Sequence, residues 1–243
     1  MAAPFLLTNH GVAHPLLSKT TAPWGQAVLH KYENGQMGWI TADLEDKHGR
    51  QELRQVLAEV LPPDQMLQDT VPSVKNEMQK DSLFGIFPGH YHCSFPAFYL
   101  GQVFVAMTGE IAFLTINVKS LKAGLEAKGI TVTPKAMTDW ALGIQSVTWE
   151  DEVAGVAELA SQGFKVTVGK LGADHTLVTP PGYLTVMAAM ADTKPVGAMA
   201  KFLDVSKETA ENLSVITSLL HEGTTQEVIE VMLDGIALQK KEW

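Results

Sequence analysis

The stretch most decisive for the fold is residues 103–116, which read VFVAMTGEIAFLTI. Two runs rich in β-branched and aromatic residues flank Thr108-Gly109, and both runs are almost wholly apolar. This pattern predicts two largely buried strands joined by a tight turn. A β-rich core is therefore the starting point for interpreting the rest of the chain.

A second block of strands is predicted closer to the C-terminus. Connections within both blocks are short and carry glycine or proline, which suits antiparallel strands rather than β-α-β units. The predicted strands of this block are residues 164–168, 176–179, 183–189 and 196–203.

Helices are predicted around these two blocks. Short helices at 119–128, 134–142 and 150–160 separate the blocks, and Gly129 and Gly163 follow the first and the third. A hairpin around Asn34-Gly35, over 26–41, and a helix at 53–61 precede them. Two further helices follow Ser206 and Thr224.

Two segments bear a family resemblance. Segment 102–110 reads QVFVAMTGE and ends in a glycine turn, and segment 172–182 reads GADHTLVTPPG and ends in a Pro-x-Gly turn. They resemble the two signature regions of the cupin superfamily, the double-stranded β-helix barrels that include JmjC-type oxygenases. Gln102 is at the position of the family's glutamate, while Phe98 and Thr185 are at positions of its metal-binding histidines.

The resemblance and the strand pattern together lead to one fold prediction. We expect an α+β fold, an antiparallel cupin-like (double-stranded β-helix) barrel with helical N- and C-terminal additions. The predicted division is a hairpin-helix elaboration over 1–83, the barrel over 84–203 and a helical pair over 204–243.

Four residues are candidate metal ligands. His90 and His92 are separated by one residue, so on a strand both imidazoles would lie on the same face. Asp174 and His175 would complete a two-histidine, one-carboxylate set, the type that holds Fe(II) with open positions. The alternative is a polar strand entry at the histidine pair, with Asp174 bonded to its own turn backbone.

Other reactive side chains have ordinary interpretations as well. Cys93 could be a nucleophile if a base lay nearby, but a small buried thiol is the simpler prediction. Lys165, Lys194 and Lys201 could bind a ligand carboxylate, or could be solvated. The chain contains neither a phosphate-binding glycine loop nor a G-x-S-x-G nucleophile motif.

Composition narrows the class of protein. The chain has 243 residues, a formal net charge of −9 and one cysteine, which excludes an internal disulfide framework. No run of lysine and arginine marks a nucleic-acid or anionic-membrane surface, and no apolar stretch reaches the ~18–20 residues of a membrane span. We therefore expect a cytoplasmic protein that binds neither nucleic acid nor membrane.

Three functions remain open on this basis. The leading hypothesis is a non-catalytic cupin-like module, without a cofactor, that binds a small molecule or a protein partner. The first alternative is a non-haem oxygenase that uses Fe(II) or another divalent metal at the four candidate ligands. The second is a structural protein that assembles into a homo-oligomer through its terminal helices.

Overall fold

A computed structural model describes residues 3–8, 39–43, 82–86, 91–94, 100–143, 152–173, 175–190 and 193–203, together with residues 30, 51 and 54. The continuous ranges form ten strands and three helices, and residues 30, 51 and 54 are helical as well. In chain order the strands are β1 (Phe5–Thr8), β2 (Trp39–Asp43), β3 (Ser82–Ile86), β4 (Tyr91–Ser94), β5 (Leu100–Thr108), β6 (Ile111–Asn117), β7 (Val166–Leu171), β8 (His175–Thr179), β9 (Tyr183–Ala189) and β10 (Val196–Leu203). The helices are α1 (Val118–Ala127), α2 (Pro134–Gly143) and α3 (Glu152–Ser161), all between β6 and β7.

The strands form two sheets. A six-stranded sheet has the order β1-β8-β5-β10-β3-β2, and a four-stranded sheet has the order β4-β9-β6-β7. Every strand pair in the described part of the chain is antiparallel. The prediction of a β-rich, antiparallel α+β fold is therefore confirmed.

Strands β3 to β10 pair as one long hairpin. β3 pairs with β10, β4 with β9, β5 with β8 and β6 with β7, so the chain doubles back between β6 and β7. Two further pairings, β5 with β10 and β6 with β9, roll this hairpin into the two sheets. The three helices occupy the tip of the hairpin, where it turns back.

The turn at Thr108-Gly109 differs from a simple hairpin. Gly109 has φ 70°, as a tight turn requires, and a Cβ on this residue would lie 2.9 Å from the Cα of Pro195. However, the strands it joins belong to different sheets, β5 to the six-stranded sheet and β6 to the four-stranded one. The turn therefore carries the chain from one sheet to the other.

The helix predictions between the two strand blocks are confirmed to within about two residues at either end. Gly129 and Gly163 follow α1 and α3 with φ 70° and 89°, the left-handed conformation expected of glycine at a helix end. The predicted N-terminal hairpin is wrong at His30, which is helical, and β2 pairs with β3 instead. The two C-terminal helices lie outside the described residues.

A core cluster of buried side chains fills the space between the sheets. Phe84 and Phe104 come from the six-stranded sheet, and their rings meet edge to face with centroids 6.1 Å apart. Phe113 and Met187 come from the four-stranded sheet. Burying each such side chain stabilises the fold by about 1.5–3 kcal/mol. The full cluster is Phe84, Ile86, Phe104, Ala106, Ile111, Phe113, Leu171, Leu177 and Met187.

The helices pack against the four-stranded sheet, where α1 contacts β6, α2 contacts β4 and α3 contacts β7. Phe164, which leads into β7, joins them because its ring lies 4.9 Å from that of Trp140 on α2. A Cβ placed on Gly124 of α1 would lie only 2.4 Å from an atom of the same ring. Asn117 caps the N-terminus of helix α1, and its Oδ1 accepts a hydrogen bond from the backbone N–H of Lys119 at 2.8 Å.

Close packing inside the six-stranded sheet predicts a strong effect of Gly197→Ala. A Cβ at this position would lie 2.5 Å from Cζ of Phe84 and 2.6 Å from the carbonyl oxygen of Val105. We expect a loss of about 1–3 kcal/mol in the free energy of unfolding, measured by urea denaturation. Gly143→Ala is the matched control, since no described residue lies within 4 Å of its Cβ position and it ends a helix. It should be neutral or stabilising by up to about 1 kcal/mol, and equal losses in both variants would contradict this packing.

Candidate functional site

A layer of buried polar residues lies next to the core cluster. Gln102 precedes Phe104 by two residues and Thr179 follows Leu177 by two, so both face the four-stranded sheet. On the other sheet, Thr115 follows Phe113 and Thr185 precedes Met187 by the same spacing. All four side chains are buried. We call this set, Gln102, Thr115, Thr179 and Thr185, the polar layer.

All four residues lie at the same end of the core cluster. Gln102 is opposite Thr179 in the register of β5 and β8, and Thr115 is opposite Thr185 in that of β6 and β9. Strand β5 approaches the inter-sheet turn at Gly109 and β6 leaves it, so Gln102 and Thr115 are both on the far side of the cluster from that turn. One polar pair therefore faces the other between the sheets.

The two pairs differ in their hydrogen bonds. Thr179 Oγ1 donates to the carbonyl oxygen of Gln102 at 3.2 Å, and Gln102 Nε2 donates to Sδ of Met199 at 3.6 Å. By contrast, the hydroxyls of Thr115 and Thr185 have no hydrogen-bond partner among the described residues, although these side chains are 1% and 0% exposed. A buried hydroxyl without a partner costs roughly 1–3 kcal/mol, so the pair calls for an explanation.

Exposure increases beyond the threonine pair. The next pair along β6 and β9 on the same face is Asn117 and Tyr183, and both residues are half-buried. On the other side, Phe113 and Met187 are almost completely enclosed. The two hydroxyls thus lie between a closed apolar core and residues that reach the surface.

Hydroxyl residues continue across the four-stranded sheet in this row. Ser94 of β4 is opposite Thr185, and Thr167 of β7 is opposite Thr115. Thr167 is exposed, because β7 is an edge strand of the sheet. It therefore provides a solvated hydroxyl in the same row as the buried pair.

Two of the four predicted metal ligands fall within the described residues. His92 lies on β4, with its Cα opposite that of Met187. His175 begins β8, and it closes a local turn in which its Nδ1 accepts from the backbone N–H of Gly172 at 3.2 Å and its own N–H donates to Gly172 O at 2.9 Å. Its imidazole has thus a structural role that the sequence did not predict.

The two histidines lie on strands of different sheets. His92 is on β4, one edge of the four-stranded sheet, and three strand spacings, about 14 Å, separate β4 from β7 at the other edge. His175 begins β8, which follows and contacts β7. Because His90 and Asp174 lie outside the described residues, the four-residue ligand set stays a prediction. In the part of the chain described, no group of three or more His, Cys, Asp or Glu side chains could hold a metal.

The remaining candidates are spread over the fold. Cys93 lies on β4 opposite Val186, while Lys165 and Lys194 are exposed. Lys201 of β10 is half-buried, lies opposite Gln102, and accepts a hydrogen bond at its carbonyl oxygen from Nη1 of Arg54 at 3.1 Å.

Sequence reasoning identified Gln102 and Thr185 only as departures from cupin motifs, and it missed Thr115 and Thr179. For Thr115 a signal was present, since it is a polar residue within the apolar run of β6, whereas Thr179 ends a strand that also contains His175 and Thr176. The pattern did not reveal which strands would pair within each sheet. That information came only from the pairing of β6 with β9 and of β5 with β8.

Comparisons with known proteins leave this site to be interpreted from its own geometry. No protein-family model matches the chain, and no curated protein matches it significantly. Among the described residues, no helix is both long enough and apolar enough to cross a membrane.

Because no described residue bonds the hydroxyls of Thr115 and Thr185, we predict that replacing both threonines by valine stabilises the protein. Because valine has the same shape without the unsatisfied hydroxyl, we expect the ligand-free double variant to be more stable by about 1–3 kcal/mol per site. For a chain of this size, each kcal/mol should raise the unfolding midpoint by about 2–4 °C, measured by calorimetry.

Thr179→Val is the matched control. Its hydroxyl is equally buried but donates to Gln102 O, so its loss should destabilise the protein by about 0.5–1.5 kcal/mol. A double variant that loses stability as the control does would show that the Thr115 and Thr185 hydroxyls are satisfied after all.

Proposed function

We propose that this protein is a non-catalytic, cupin-like binding module that holds a small molecule between its two sheets at the polar layer. The observation that carries the proposal is the pair of adjacent, buried hydroxyls on Thr115 and Thr185 without a partner among the described residues. Buried polar groups in native proteins are nearly always bonded, and a bound molecule is one way to satisfy them.

The arrangement of strands supports the cupin-like part of the proposal. A long antiparallel hairpin rolled into two facing sheets is the plan of eight-stranded jelly rolls, which include the cupins. Strands β3 to β10 have the four nested pairings that this plan requires, with β1 and β2 added at the edges of one sheet. The end of such a roll is a common place for a small-molecule site.

The chemistry of the layer supports the non-catalytic part. Its members carry neutral hydroxyl and amide groups, which are weak ligands for first-row metals compared with imidazole and carboxylate. In the cupin resemblance Thr185 takes the position of a metal-binding histidine. A hydroxyl there can orient a ligand by hydrogen bonding, which is what a binding module needs.

Ligand-observed NMR with a library of small polar compounds tests the proposal. We expect hits whose binding is lost in Thr115→Val/Thr185→Val, because both hydroxyls contact the ligand. Binding should be kept in Thr167→Val, since that hydroxyl is in the same row but exposed. Hits that bind all three proteins alike would place the ligand elsewhere and contradict the proposal.

The oxygenase alternative makes a different prediction, which elemental mass spectrometry of the purified protein can test. With a neutral polar layer as the site, we expect the same substoichiometric content of iron, manganese and zinc in the wild type and in His90→Ala/His92→Ala. A stoichiometric metal that is lost in the double variant would contradict the binding-module proposal and support the metal-dependent oxygenase. Assembly through the terminal helices stays a prediction, because residues 204–243 lie outside the described ones.

A further inference from the structure

We infer that the ligand of the polar layer is uncharged and places a single hydroxyl or carbonyl oxygen between Thr115 and Thr185, next to an apolar body. This inference rests on the proposed function and specifies its ligand class. It follows from three properties of the described residues: the spacing of the pair, the charge of its surroundings and the side chains beside it.

The spacing suits one shared oxygen atom. Directly opposed residues on antiparallel strands have Cβ atoms about 4.5–5.5 Å apart, and O–H···O hydrogen bonds are about 2.5–3.0 Å long. One ligand oxygen can therefore lie within hydrogen-bonding distance of both hydroxyls. A carbonyl oxygen would accept from both, whereas a ligand hydroxyl would accept from one and donate to the other.

The surroundings favour a neutral group. The other two members of the layer, Gln102 and Thr179, are neutral and each is 2% exposed, and Gln102 turns its amide N–H to the sulfur of Met199. An ionised carboxylate placed here would lose its hydration without a fully buried counter-charge among these residues. Lys201 is next to Gln102 in register but is only half-buried, so it is not an enclosed counter-charge. Substituting it tests whether its charge contributes to ligand binding.

The neighbouring side chains favour an apolar body. Phe113 and Met187 adjoin the hydroxyl pair on the core side and belong to the core cluster. The half-buried Asn117 and Tyr183 lie on the opposite side, toward the surface. A ligand oxygen held by the two hydroxyls would therefore have apolar side chains beside it on the core side. A compact alcohol or ketone matches these neighbours.

Three probes with one ring test the ligand class: toluene, benzyl alcohol and benzoate. Toluene carries no polar group, benzyl alcohol carries a hydroxyl and benzoate carries a charged carboxylate. By NMR titration we expect benzyl alcohol to bind the wild type roughly tenfold more tightly than either of the others, as one or two hydrogen bonds would allow. The preference should vanish in Thr115→Val/Thr185→Val and persist in Lys201→Met and Thr167→Val.

Each other outcome has a distinct meaning. If benzoate binds most tightly and needs both threonines and Lys201, the uncharged class is wrong while the binding module stands. If toluene binds as well as benzyl alcohol, or no probe binds, while library hits still depend on the two threonines, the inferred class alone is overturned. If neither the probes nor the library hits depend on the two threonines for binding, both the inferred ligand class and the proposed function are wrong.

Discussion

The core cluster between the two sheets is the constraint on which the rest of the structure depends. Side chains on a strand alternate between its two faces, so placing Phe104, Phe113 and Met187 inward also fixes every second residue before and after them. A shift of one residue in any pairing would expose the cluster and is therefore strongly disfavoured. Gln102, Thr115, Thr179 and Thr185 face one another between the sheets because the cluster beside them must be buried.

The polar layer is a local exception beside an otherwise apolar core. Valine would fit at positions 115 and 185 of these mostly apolar strands, and it would avoid the cost of burying hydroxyls that have no partner among the described residues. Departures of this kind from an otherwise consistent sequence are expected at functional sites, where stability is given up for binding. The hydroxyl of Thr179, which belongs to the same layer but to the other sheet, donates to the carbonyl oxygen of Gln102, so the fold can provide a partner for a buried hydroxyl in this layer.

Much of the fold could be predicted from the sequence because its signals are local. Strands β5, β6, β9 and β10, the three helices at the hairpin tip and the glycine turns at 109, 129 and 163 all carry recognisable patterns. The crossing from one sheet to the other at Gly109 could not be predicted, since a tight turn looks the same whether its strands pair or separate. The short strands β1 and β3 were missed because a few residues carry too little periodicity.

The candidate site was harder to predict for a related reason. Chemistry-bearing residue types drew attention to the histidines, but His175 bonds its own turn at Gly172 and His92 lies at the far edge of the other sheet. The hydroxyls of Thr115 and Thr185 become notable only through their long-range pairing and because the described part of the chain provides them with no hydrogen bond. Local sequence contains neither kind of information.

The most direct measurement is a high-resolution crystal structure of the purified protein, soaked with its best-binding library compound. We predict a non-protein oxygen within about 2.5–3.0 Å of both threonine hydroxyls at positions 115 and 185. Two hydroxyls that instead donate to carbonyl oxygens of the protein, with the compound bound elsewhere, would contradict this prediction.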